Sequence, residues 1–346
     1  MSNCRDFPSR ELLRDGFVPP SCACALGEDM KVEIGAKISV CILTFNNTSV
    51  IESGIRSVLN QTICGYDIIV SDDCSSDGTW EKILDLAAQD ERIIPIRTQH
   101  NLGMPGNANY AVSHATRPYI ALLHQDDLYR SDLLEKWGAI LDRYEDVAYV
   151  FNRYEEENAH LKYGPPFPEE RLEGQWFLEN VLLARFSSPV RGTAMIRRAC
   201  WNAVGGMREE FGPFADVDLW MRLARVGAVG YVAEPLIRVG RFRPDYYPDI
   251  YTQRKKWQWQ RRVFVYEIHA SNWRLLNPSS TVRGRLNWFL FRIRLSCETA
   301  KWLLYGVVRK RPDIVAFSDE SITTYDLWPL RALRSILRIF YRPPAL

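Results

Sequence analysis

A chain of 346 residues is too long for one minimal core and suits one large α/β domain with an added C-terminal part, or two domains. With 47% hydrophobic and 25% charged residues it has the make-up of an ordinary globular protein, and a net charge of +2 makes no global case for nucleic acid. The eight cysteines contain no C-x-x-C pair and no zinc-type spacing, which points to reduced thiols rather than a zinc module. No basic-then-apolar leader opens the chain, and no uncharged apolar run reaches about 18 residues, so a cytoplasmic protein is the expectation.

Residues 1–35 mix prolines, glycines and scattered charges without a sustained period, and read as a loosely ordered arm. From Ile38 to Phe45 a β-branched apolar run ends in Asn46-Asn47, a strand leading into a polar turn. Val50, Ile51, Ile55, Val58 and Leu59 then recur at helical spacing. A second strand, Tyr66 to Ser71, runs into Asp72-Asp73-Cys74-Ser75-Ser76-Asp77-Gly78-Thr79. A helix from Trp80 to about Ala88 and a third strand from Arg92 to Arg97 follow. Next, Asn101 to Gly106 leads into a helix carrying Asn107 and Asn109, and the strand Tyr119 to Leu123 ends in His124-Gln125-Asp126-Asp127. Strands alternating with helices imply parallel pairing and a Rossmann-like half-sheet. Neither G-x-G-x-x-G nor a P-loop signature occurs, which disfavours dinucleotide oxidoreductases and P-loop NTPases.

Two strands of one parallel half-sheet therefore end in paired carboxylates, Asp72/Asp73 and Asp126/Asp127. Open α/β sheets bind ligands at that edge, and adjacent carboxylates suit a hard cation held together with a diphosphate. Capping and turn roles compete at every position. Asp77 reads as an Asx-type turn before Gly78, Asp218 as a cap of the helix Leu219 to Val226, Trp220 as core, and His114 as packed or solvated.

This ordered series of motifs closely resembles the family 2 glycosyltransferases over about Ile38 to Gly240. The matching segments are Ser39 to Asn47, Asp72 to Thr79, Asn101 and Gly103 with Asn109, His124 to Asp127, Val204 to Met207 and Asp216 to Leu223. The resemblance implies a GT-A fold, α/β with a mostly parallel central sheet flanked by helices. It implies a nucleotide-diphospho-sugar donor, most readily a UDP-sugar, with dTDP- and GDP-sugars as alternatives, and a glycan or lipid-linked acceptor. It also implies inversion of the anomeric centre, a divalent cation (Mn²⁺ or Mg²⁺) and a setting in polysaccharide biosynthesis. Thr44, Phe45, Asn46, Asp72 and Asp73 would line the base and ribose, with Asn101, Gly103, Asn109 and Gln125 in the same substrate site. Asp126 and Asp127 would take the metal position, and Asp216 would be the general base. The chain departs from the pattern twice. His124 stands where many members carry an acid, leaving its role open between donor contact, metal ligand and neither. Gly240 stands where a histidine is frequent, and Arg241 beside it is a candidate phosphate contact. Two rivals remain: a nucleotidyltransferase on a similar fold, for which the Asn46-Asn47-Thr48-Ser49 turn lacks a basic Gly-rich loop, and a catalytically silent sugar- or nucleotide-binding protein.

Domain boundaries are expected at 1–35 for the arm, 36–127 and 128–245 for the nucleotide-sugar and acceptor halves, and 246–346 for a helical C-terminal extension. Acceptor choice is assigned to the region from Tyr154 to Arg191. Between Tyr251 and Arg311 fourteen Lys or Arg face two glutamates, with tryptophans interspersed. A helix over 285–308, with Leu286, Phe289, Leu290, Ile293, Ala300, Leu303, Leu304 and Val307 broadly on one face, suits peripheral contact with an anionic membrane, or else packing on the catalytic domain. No nucleic-acid motif occurs, so none is expected as a partner.

Overall fold

The structure is a computed structural model and describes residues 28–156, 159–162, 167–184, 188–240, 267–276, 280–309 and 326–332. The chain divides into two units, Met1–Tyr246 and Tyr247–Leu346.

The first unit is built on one mixed sheet. Its strands are β1 (Ile38–Thr44), β2 (Asp67–Asp72), β3 (Ile93–Arg97), β4 (Tyr119–His124), β5 (Leu128–Tyr129), β6 (Val147–Glu156), β7 (Ala159–Lys162), β8 (Arg171–Leu172), β9 (Ala194–Arg197) and β10 (Ala228–Val239). The main path runs β3-β2-β1-β4-β9-β6-β10-β5, with β7 beside β6 and β8 beside β10. Pairing is parallel from β3 through β4 and between β6 and β10. Strand β9 is antiparallel to both β4 and β6. The tips of β1, β2, β4, β6 and β10 therefore share one edge of the sheet, where the chain approaching β9 joins them.

Every residue of β1 is buried, as expected of a parallel strand covered on both faces. Burying each of its aliphatic side chains contributes roughly 1.5–3 kcal/mol. The chain turns at a topological switch point, since β1 has β2 on one side and β4 on the other. Helix α2 (Ile51–Leu59) packs Ile51, Ile55 and Val58 into the core. It also lies so close to the acidic turn after β4 that a Cβ on Gly54 would stand 2.5 Å from the Gln125 carbonyl oxygen. A hydrogen atom is all that this approach leaves room for. Helices α3 (Thr79–Ala87), α4 (Gly103–His114), α5 (Leu133–Arg143), α7 (Arg198–Val204) and α8 (Ala215–Val226) complete the flanks, with the single turn α6 (Gly174–Phe177).

One expectation about the arm needs correcting. Its last eight residues form α1 (Glu28–Gly35), and Ile34 is buried against Gly138 of α5. A single anchoring side chain leaves no period to read in a helix this short. Residues 1–27 lie outside the described residues.

Among the described residues of the second unit the longest element is α9 (Val282–Val308), whose first turn is capped by the Thr281 hydroxyl accepting from Gly284 N at 2.9 Å. The apolar residues of α9 divide between two faces, which corrects the single face expected. Phe291, Leu295 and Leu303 are buried, and Phe291 stacks on Trp273 and Trp288 at ring separations of 5.1 and 5.5 Å. Leu286, Phe289, Leu290 and Leu304 are each at least half exposed. Among the described residues no helix is long and apolar enough to cross a membrane.

Candidate functional site

The sheet edge at the β1/β4 switch point collects the acidic residues, and they differ in what they touch. After β1 the backbone bends at Asn46, held at φ 44° by ties to the next loop. Asn46 N donates to Ser75 Oγ at 2.8 Å, and its side-chain oxygen accepts from Ser76 N at 2.9 Å. The Gln125 amide accepts from Phe45 N at 2.9 Å and donates to Phe45 O at 3.4 Å, so this residue joins the turns after β1 and β4. Thr44 is buried and its hydroxyl finds no hydrogen-bond partner among the described residues.

Asp72 and Asp73 are committed to the protein. Asp72 is fully buried, accepts from Ser75 N at 3.1 Å and from the Ser75 hydroxyl, and pairs with Arg97 Nε at 3.1 Å. Burial raises its pKa, while Ser75 and the Arg97 guanidinium pull it back. Asp73 accepts from Thr98 Oγ1 at 3.0 Å and Leu102 N at 2.8 Å, fixing the approach to α4. Asp77 accepts from Thr48 N and Thr79 N at 3.1 Å each, the Asx-type turn expected of it. Its pKa falls because these donors outweigh burial.

At the tip of β4 the Tyr129 hydroxyl accepts from His124 N at 2.8 Å and donates to His124 O at 2.6 Å. Asp126 is half-buried, and Asp127 is buried with Oδ1 accepting from Gly240 N at 2.9 Å. The end of β10 thus meets the acidic pair, and the residue standing there offers an N–H where a histidine would offer a ligand. Arg241, the expected phosphate contact, lies outside the described residues.

Ahead of α4, Asn101 Oδ1 accepts from Gly103 N at 2.9 Å and starts the helix. Asn109 clamps Met207, donating to its carbonyl at 3.0 Å and accepting from its N–H at 2.9 Å. Asp218 is not the simple cap expected. It is fully buried, pairs with Arg222 Nε at 2.6 Å, and lies 3.6 Å from Arg208. Arg222 in turn donates to Val204 O and Gly206 O at 2.7 Å each, so this pair holds the Gly205-Gly206 turn. Trp220 is core, as expected, and His114 is exposed and bonded to Tyr110 O at 2.9 Å.

Asp216, two residues earlier on α8, has no ion pair among the described residues. Burial pushes its carboxyl up to about 6, opposed by the Val217 N–H, the Trp220 indole and the Arg191 charge. Gly192 brings Asp216 to the acidic turn. At φ 76°, a Cβ there would stand 2.6 Å from His124 Cε1 and 3.4 Å from Asp216 Oδ2. The His124 ring and the Asp216 carboxylate are thus gathered on one glycine. Burial lowers the His124 pKa, with Arg191 adding to the fall and Asp126 opposing it, which keeps the ring neutral at neutral pH. Sequence reasoning missed Arg191 and Gly192 as members of the site, because an Arg-Gly pair ahead of a strand carries no local signal.

No cluster of three His, Cys, Asp or Glu side chains that could hold a metal occurs among the described residues. The adjacent carboxylates of Asp126 and Asp127 are hard oxygen donors suited to Mg²⁺ or Mn²⁺, but they supply only part of a coordination shell. The remaining positions would fall to a diphosphate and water.

Residues 39–200 match the family model described as glycosyl transferase family 2. The glycosyltransferase EpsE of Bacillus subtilis is 29% identical over 59% of this chain and 73% of its own length. WfgD of Escherichia coli, named as a UDP-Glc:α-D-GlcNAc-diphosphoundecaprenol β-1,3-glucosyltransferase, is 27% identical over 41% of this chain and 55% of its own. Among solved structures, residues 1–349 of S. aureus TarS in complex with UDP-GlcNAc align with a TM-score of 0.60 at 15% identity, covering 88% of this chain and 87% of that one.

Proposed function

The chain belongs to glycosyltransferase family 2 and has the GT-A type of fold, and on that footing we propose that it transfers one sugar, with inversion, from a UDP-sugar to a hydroxyl of a glycan or lipid-linked acceptor. Polysaccharide or glycolipid assembly is the proposed setting, in keeping with the WfgD likeness. The observation that carries this reading is that the Asp216 carboxylate and the ring of His124, the residue that leads into Asp126-Asp127, meet at Gly192.

Asp216 has the attributes of a general base. A carboxylate with a pKa of about 6 is ionised at neutral pH and more basic than an exposed aspartate. In the proposed step the acceptor oxygen attacks the anomeric carbon, its proton passes to Asp216, and the bond from that carbon to the diphosphate oxygen breaks with the electron pair leaving on UDP. One in-line displacement of this kind inverts the centre. A divalent cation held by Asp126 and Asp127 would neutralise the charge that builds on the leaving diphosphate. The backbone from Thr44 to Asn46, fixed by Gln125 and Ser75, forms the floor for the base and ribose. Asp72, Asp73, Asn101 and Gly103 stand behind that floor and set its shape. His124, neutral and against Gly192, is placed to hold the transferred sugar.

The test is release of UDP from a panel of UDP-sugars with Mn²⁺ or Mg²⁺, in the wild type and in Asp216→Asn and Asp126→Asn proteins. Metal-dependent release by the wild type, absent in both variants, supports the reading. A fully active Asp216→Asn protein would overturn it.

We further propose that α9 rests on an anionic membrane surface. Its exposed apolar residues Leu286, Phe289, Leu290 and Leu304 lie near the exposed cations Arg283, Arg294 and Lys301. Flotation with anionic liposomes should carry the full chain upward, and a Leu286→Glu/Leu290→Glu protein should stay behind.

A further inference from the structure

Strand β9 runs between the two halves of the site. Its register with β4 pairs Tyr119 with Arg197 and Leu122 with Ala194, and two further steps set His124 against Gly192. Its register with β6 pairs Tyr149 with Ile196 and Val150 with Met195, and continuing that course sets Tyr154 against Arg191. The contacts agree with both extensions. Gly192 lies on the His124 ring, and the Arg191 guanidinium lies over the Tyr154 ring at 5.7 Å from its centroid. The residues between Tyr154 and Arg191 thus form a segment whose two ends close on each other through a cation–π contact.

Arg191 is exposed and makes no hydrogen bond or ion pair among the described residues. Its charge nevertheless acts on both His124 and Asp216. The Tyr154 ring under it belongs to β6, two strand spacings or roughly 10 Å from β4 and its acidic turn. The diphosphate of the donor belongs at β4, so this guanidinium stands on the far, acceptor side of the reacting atoms. Once substrates expel water, a guanidinium whose charge reaches Asp216 would compete for the carboxylate and weaken it as a base. An anion already bound to Arg191 removes that competition.

We propose that Arg191 binds an anionic group of the acceptor, a phosphate or a carboxylate close to the hydroxyl that receives the sugar. The inference rests on the transferase reading above and narrows it to acidic acceptors. A guanidinium fork matches either group with two parallel charge-assisted hydrogen bonds, and the stack on Tyr154 presets its plane. Gly192 beside it, with no side chain, leaves the acceptor hydroxyl a path to Asp216.

The experiment uses the full chain, a UDP-sugar that it hydrolyses, and acceptors in matched pairs. One pair is a glucuronate-terminated disaccharide and its neutral glucose counterpart; the other is a short-chain lipid diphosphosugar and the corresponding neutral alkyl glycoside. Acceptor-dependent UDP release is measured for wild type, Arg191→Ala and Arg191→Lys. In the pair containing the right anion, the charged acceptor should have a KM at least tenfold below that of its neutral partner, and the pair that responds tells carboxylate from phosphate. Arg191→Ala should raise that KM at least tenfold, to within threefold of the neutral partner's, while the KM of the neutral partner itself changes less than threefold. Arg191→Lys should recover part of the loss, which a merely structural role would not predict. An unchanged acceptor KM in Arg191→Ala, or a rise in donor KM instead, overturns the inference while the transferase reading stands. A wild type that releases no UDP from any donor overturns both.

Discussion

Asp72 and Asp216 are both carboxylates at the same edge of one sheet, yet they are treated in opposite ways. Asp72 has Arg97 at 3.1 Å and Ser75 on its oxygens, and its neighbours Asp73 and Asp77 are likewise filled by loop donors. Asp216 is pushed up to about 6 by burial, with no cation in ion-pair contact among the described residues. The β2 side of the edge spends its acids on holding three loops in register, whereas the α8 side leaves one acid under-neutralised, which is the condition for taking a proton. Asp218, only two residues from Asp216, falls in the first class through Arg222. Position along the chain therefore says little about which class a carboxylate joins.

The comparison can be broken most directly at Asp216. An Asp216→Asn protein should lose about 10²- to 10⁴-fold in kcat, measured as UDP release, with donor KM little changed. Its stability should move the other way. A carboxyl whose folded pKa is raised from 3.8 to about 6 contributes stability that is present below about 4 and lost as pH rises through 6. Denaturant unfolding should accordingly find Asp216→Asn more stable than wild type by about 1 to 3 kcal/mol at pH 8, and the difference should close near pH 4.

The bracing class should respond in stability instead. Arg222→Met takes the nearer cation from the buried Asp218, and a cost of about 3 to 5 kcal/mol in urea unfolding is expected. The same variant should loosen the Gly205-Gly206 turn, raising acceptor KM more than donor KM. Gly192→Ala lies between the classes. A side chain at φ 76° that meets the His124 ring should cost about 1 to 3 kcal/mol and displace the ring, with a fall in kcat that wild-type stability in osmolyte does not restore. A final, smaller effect sharpens the assignment of the base. For wild type, kcat/KM should rise with pH and level off above about 6, and that limb should vanish in Asp216→Asn.

Much of the sheet from β1 to β4 was legible from residue order. The runs ending at Thr44, Asp72 and His124 could be read because buried parallel strands are continuous apolar segments, and acids at their ends stand out against them. The Asx-type role of Asp77 followed from its spacing to Thr79. The bracing roles of Asn109 and Asp218 were not legible, since their partners Met207 and the Gly205-Gly206 turn are fixed by packing between α4, α7 and α8. The same holds for α1, where Ile34 finds Gly138 more than a hundred residues away.

By itself, the amino-acid order determined the alternation of strand and helix, the acidic strand ends and the family resemblance that they carry. These depend on hydrophobic period and turn chemistry, which act over a few residues at a time. Only the tertiary structure decided which acids are neutralised, and only the antiparallel passage of β9 between β4 and β6 brought Arg191 and Gly192 to His124 and Asp216. A pKa and a binding surface are sums over neighbours in space, and strand register chooses those neighbours.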